Sequence, residues 1–151
     1  MRKTHIGLLA ALLTIGCQMT PRSMGVPPET RTPDKTVELE VTAYCSCGDC
    51  CNWRHDWRGR TVVKSGPSKG RVKEVGLTST GTRAAVGSIA ADPSVFPYGT
   101  VLHIPGYGFG KVVDTGSAMG PKNIDVYFRH HQEANQWGRQ NLQVRVWKPT
   151  L

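Results

Sequence analysis

The sequence predicts an all-β fold, a closed or nearly closed barrel with one short helix. Three observations carry this: about six short apolar or alternating runs, Pro and Gly pairs between them, and a single brief helical stretch. The first run, residues 37–44, alternates apolar and polar side chains, as a half-buried strand does. Further strands are expected at 88–91, 101–104, 110–114, 124–128 and 143–147. Pro97-Tyr98-Gly99 and Pro105-Gly106-Tyr107-Gly108 read as the tight turns between them. The helix is expected at residues 131–137, with Gly138 in the C-terminal cap position.

The chain has 151 residues, enough for one domain, and its ends do not read as fold. Arg2 and Lys3 precede an apolar run from Ile6 to Ile15, so residues 1–16 read as a signal peptide, too short to span a membrane. Leu13-Thr14-Ile15-Gly16-Cys17 resembles a bacterial lipobox, which makes Cys17 the candidate for lipidation and a membrane anchor. Thr14 stands where that pattern prefers Leu, so plain secretion is the alternative. Residues 17–36, rich in Pro and Thr, read as a tether, and the domain is expected at 37–149.

Without residues 1–16 the chain keeps 17 basic against 11 acidic side chains, a net charge of +6. Outside the cytoplasm a basic surface meets anionic envelope polymers rather than nucleic acid. Much of the excess lies in residues 52–75, which read as a long basic surface loop with a short hairpin near Thr61-Val62-Val63. Within it Trp53 and Trp57 are candidates for stacking on sugar rings, with packing against the barrel as the equal alternative.

Carboxylates are few, and three follow or interrupt apolar strands: Asp92, Asp114 and Asp125. At one rim of a barrel, mutual repulsion and partial burial would raise the pKa of one of them into the range of a general acid. Ordinary turn chemistry competes for Asp92 and Asp114, whereas Asp125 sits inside a strand, where Asp is depleted.

Four cysteines, Cys45, Cys47, Cys50 and Cys51, crowd one stretch. In an oxidising compartment they are expected as disulfides; short spacing favours Cys45 with Cys50 or Cys51, though three connectivities stay open. Zinc sites usually present two separated ligand pairs, so no metal ligand is assigned. His130-His131 reads as an exposed helix start. No cofactor is expected.

The order Val41-Thr42-Ala43-Tyr44-Cys45, Thr78-Ser79-Thr80-Gly81, Ala91-Asp92-Pro93, Phe96-Pro97-Tyr98-Gly99-Thr100, Asp114-Thr115-Gly116 and Ile124-Asp125-Val126-Tyr127-Phe128 resembles the three-aspartate (3D) domain. It also resembles the catalytic barrel of the membrane-bound lytic transglycosylase A family. The resemblance implies a six-stranded double-psi β-barrel acting on peptidoglycan glycan strands in the cell envelope, with Asp125 as catalytic acid and base. A single carboxyl suffices when the sugar's own 6-hydroxyl closes the 1,6-anhydro ring. Asp114 and Asp92 would be its catalytic neighbours, and Thr80, Gly81, Thr115, Gly116 and Lys122 the substrate contacts. Ser117-Ala118-Met119-Gly120-Pro121 departs from the family pattern and displaces its Lys by two places, to Lys122. That departure puts the loop Lys in question and leaves room for a non-catalytic wall-binding module. The basic loop is the candidate to supply the missing positive charge.

Overall fold

In the computed structural model, residues 31–149 are described; the leader, Cys17 and most of the tether lie outside them. Eight strands and one helix follow in the order β1 (Lys35–Tyr44), β2 (Trp53–His55), β3 (Thr61–Val63), β4 (Ser88–Ala90), β5 (Val101–Ile104), β6 (Gly108–Asp114), β7 (Asn123–Tyr127), α1 (His131–Trp137) and β8 (Gln140–Trp147). Six of the strands close a barrel in the order β1-β7-β4-β6-β5-β8, and β2 and β3 form a separate hairpin.

Two barrel pairs are parallel, β1 with β7 and β4 with β6, and the others are antiparallel. Parallel neighbours cannot be joined by tight turns, so the chain crosses over between them, in keeping with the expected double-psi barrel.

Alternation decides what fills the interior. Leu39 and Val41 from β1, Ile89 from β4, Val112 from β6, and Ile124 and Val126 from β7 form the packed core with Leu102, Ile104, Val144 and Val146. Gly110 is required where β6 passes β4: a Cβ there would stand 2.6 Å from Ile89 Cδ1 and 2.8 Å from the Gly87 carbonyl.

The helix begins where the sequence places it. Glu133 accepts the His130 N–H at 3.2 Å, and Gly138, at φ 64°, donates its N–H to the Ala134 carbonyl. Trp137 packs against the core, and its indole N–H donates to the Val41 carbonyl at 3.3 Å. Trp147 is buried at the other barrel end.

The basic stretch is more ordered than a plain loop. Besides the hairpin, Val62 is buried and bridges to Val72, and the Lys73 N–H donates to the Thr61 carbonyl at 2.9 Å. Strand β2 escapes the alternation test because its Arg54 and His55 are both exposed.

Candidate active site

Because Ile124 and Val126 point into the barrel, Asp125 between them points out, and so does Thr42, its partner on β1. Ala90 of β4 is the neighbour of Asp125 on the other side. The parallel pairing of β4 with β6 is regular at Ile89–Val112, then shifts so that Ala90 lies opposite Asp114 rather than Val113. This bulge turns Asp114 towards the face that carries Asp125. Thr42, Asp125, Ala90 and Asp114 thus form one row across four strands, on the outer face of the sheet rather than in the barrel mouth.

Over this row lies a cleft of about 520 Å3. Its walls include Tyr44, Cys50, Cys51, Lys73, Ser79 and the 114–119 loop, and both Asp114 and Asp125 open into it. Lys73 brings the end of the basic stretch here, where its ammonium donates to the Cys51 carbonyl at 2.5 Å.

The two carboxylates differ in their partners. Asp114 Oδ1 accepts the Ser79 N–H at 2.9 Å, the Ser79 hydroxyl at 2.7 Å and the Thr115 N–H at 2.9 Å, while Oδ2 accepts the Tyr44 hydroxyl at 3.2 Å. Asp125 is the opposite case. Its Oδ1 is buried and has no hydrogen-bond partner among the described residues. Burial pushes the Asp125 carboxyl above its ordinary pKa and the Asp114 charge adds to this, against the Thr42 hydroxyl and the Arg139 guanidinium, which favour the anion. Burial and the Asp114 charge likewise raise the Tyr44 phenol, which keeps it a donor to Asp114.

The remaining sequence-predicted residues divide. Thr115 and Gly116 line the cleft. Asp92 does not: its carboxylate accepts the Ser94 hydroxyl at 2.7 Å and the Ser94 N–H at 2.9 Å, and these bonds hold its pKa below the ordinary value. It closes a turn. Thr80 donates its hydroxyl to the Val113 carbonyl at 3.0 Å, and Gly81, at φ 80°, forms the turn whose N–H reaches the Thr78 carbonyl. Both shape the 78–82 turn without lining the cleft. Lys122 lies in a separate hollow with Glu38, Leu39, Glu40 and Asn141. Trp53 packs inward, its indole donating to the Ser46 carbonyl at 2.9 Å, and Trp57 is 84% exposed under the Arg58 guanidinium; neither lines the cleft.

Tyr44, Ser79 and Lys73 were not assigned from sequence. Tyr44 and Ser79 stand inside the quoted motifs, but only the folding of β1 and of the 78–82 turn against β6 brings them to Asp114. The cysteines also differ from expectation: Cys45, Cys47, Cys50 and Cys51 are free thiols, and Cys45 Sγ lies 3.8 Å from Cys50 Sγ, far beyond the about 2.05 Å of a disulfide. His131 is no idle helix start, for its Nδ1 lies 3.4 Å from Cys47 Sγ and 3.5 Å from Cys50 Sγ.

The sequence model of the 3D domain matches residues 87–148. Two Bacillus subtilis (strain 168) proteins are similar over 58 residues: "Putative cell wall shaping protein YabE", 40% identical, and "Cell wall-binding protein YocH", 38% identical. Each match covers 38% of this chain but only 14% and 20% of those proteins' own lengths. Among solved structures, the apo-2 form of an E. coli lytic transglycosylase MltA variant aligns with a TM-score of 0.39 at 17% identity. That alignment covers 49% of this chain and 28% of the other.

Proposed function

Since the chain carries a 3D domain at residues 87–148, we propose that it is a peptidoglycan lytic transglycosylase of the cell envelope, with Asp125 as its acid and base. The observation that carries this reading is the buried, unpartnered Asp125 oxygen facing a cleft beside Asp114. The wall-directed names of the two Bacillus subtilis relatives support the choice of polymer.

In this reading the protonated Asp125 gives its proton to the glycosidic oxygen between N-acetylmuramic acid and N-acetylglucosamine as the C1–O bond breaks. Positive charge develops at C1, and the muramic 6-hydroxyl closes on it. Asp125, now an anion, takes the hydroxyl proton, so the 1,6-anhydro product forms without added water and the carboxyl returns to its starting state. Burial keeps Asp125 protonated beforehand, and Asp114, fixed in place by its four donors, adds its charge to that effect and faces the developing cation. Lys73, Thr115 and the Gly116 backbone stand where sugar hydroxyls and acidic stem groups would bind.

The test is digestion of purified sacculi with the exported protein, followed by mass spectrometry of the soluble fraction. Anhydro-muropeptides are expected; none at any pH would sink the proposal. A non-catalytic wall-binding module is the second reading, favoured by the printed name of YocH and by the altered 117–121 loop. Co-sedimentation with sacculi and no soluble product would establish it instead. Export by residues 1–16 and lipidation of Cys17 belong to the same proposal. Labelled palmitate incorporated into the wild type and absent from Cys17→Ala is the expected result.

A further inference from the structure

Four potential ligand atoms meet at one point outside the carboxylate row. Cys45, Cys47 and Cys50 Sγ and His131 Nδ1 all lie within 4.8 Å of one another. The histidine nitrogen is 3.9, 3.4 and 3.5 Å from the three sulfurs in that order, and Cys45 and Cys50 are 3.8 Å apart. A zinc ion about 2.3 Å from sulfur and about 2.0–2.1 Å from nitrogen sets the edges of its ligand tetrahedron at about 3.8 Å for S···S and about 3.5 Å for S···N. The Cys45–Cys50 separation and those of His131 from Cys47 and Cys50 match these edges, and the Cys45–His131 separation of 3.9 Å is somewhat longer.

The surroundings are built for the same purpose. Cys47-Gly48-Asp49-Cys50 forms a tight turn in which the Cys50 N–H points at Cys47 Sγ, 3.4 Å away, the contact that stabilises a metal-bound thiolate. The turn is closed by the Cys51 N–H on the Cys47 carbonyl and the Trp53 N–H on the Gly48 carbonyl. A Cβ at Gly48 would lie 2.5 Å from the Trp53 carbonyl oxygen, so the turn accepts no larger residue there without moving. The Phe128 N–H donates to the Tyr44 carbonyl at 2.8 Å, which brings the approach to α1 alongside the residue before Cys45. Cys51 stands apart, its thiol donating to the Cys45 carbonyl at 3.1 Å.

We propose that Cys45, Cys47, Cys50 and His131 form a tetrahedral site for a thiophilic divalent cation of the zinc class. With all four positions filled by protein, the site is structural rather than catalytic. Binding expels the three thiol protons and leaves the imidazole neutral with Nδ1 on the metal. The ion ties the first residue of α1 to the loop that follows β1, and that loop supplies Cys50 and Cys51 to the cleft wall.

Full-length protein purified under reducing conditions is expected to hold about one equivalent of zinc through dialysis. Replacement by cobalt(II) is expected to give the intense visible bands and thiolate charge-transfer absorption of a tetrahedral sulfur-rich site. His131 is exposed, so His131→Ala is expected to fold, alter the cobalt spectrum and weaken zinc at least about tenfold. Cys51→Ser should leave both unchanged. A reduced wild type with no cobalt–thiolate absorption, an unchanged spectrum in His131→Ala, or native disulfides joining Cys47 or Cys50 in peptide mapping would each overturn the proposal. None of these readouts depends on glycan cleavage, so the metal site and the transglycosylase reading stand or fall separately.

Discussion

Asp92 and Asp125 both adjoin apolar strand residues, yet they differ in physical state. Asp92 follows β4, and its own turn supplies donors from Ser94 that favour the anion. Asp125 sits within β7, where burial and an unpartnered oxygen favour the neutral acid. Donor supply, rather than proximity to an apolar strand, therefore separates a structural carboxylate from one suited to proton transfer.

The sharpest way to break this contrast is to remove each carboxylate's charge in turn. Asp125→Asn is expected to abolish release of anhydro-muropeptides while its circular-dichroism spectrum stays unchanged; retained release would put the acid elsewhere. Next in size is Asp114→Ala, which strands the Ser79, Thr115 and Tyr44 donors. Urea denaturation is expected to show a loss of about 2–4 kcal/mol.

A pH comparison sharpens the same point. The native pKa of Asp125 lies above its unfolded value, so the folded state binds more protons in that interval. Stability is therefore lost as pH rises from the unfolded pKa through the folded one, and the penalty persists at neutral pH. Asp125→Asn should consequently melt higher than wild type at neutral pH, with the gap closing in acid. Asp92 has the opposite sign: its contribution is present above the unfolded pKa and disappears as pH falls through the lowered one. The smallest effect is expected for Asp92→Ala, with near-normal glycan release and a slightly lower neutral melting temperature that merges with wild type in acid. A cleavage loss as complete as that of Asp125→Asn, in a folded protein, would erase the distinction.

The barrel was legible because a half-buried strand writes its two faces into alternate residues, as 37–44 do. Asp125 was legible for the same reason, as a carboxyl inside a strand. Asp92 and Asp114 were not separable, because the shift at Ile89/Ala90 that turns Asp114 to the cleft leaves no local mark in sequence. His131 lies more than 80 positions from its three cysteines, so only the return of the chain beside β1 unites them.

Strand β1 has a mechanical consequence as well. The chain enters at Lys35, opposite Val146, and the carboxylate row crosses the same strand at Thr42, near its far end. A pull between the N-terminal segment and a glycan held in the cleft would run lengthwise along β1. Its hydrogen bonds to β7 and β8 lie across that direction, so they would share the load in shear instead of opening one at a time. Under the proposed function, β1 would be the element that carries load between a glycan in the cleft and an anchored N-terminal segment.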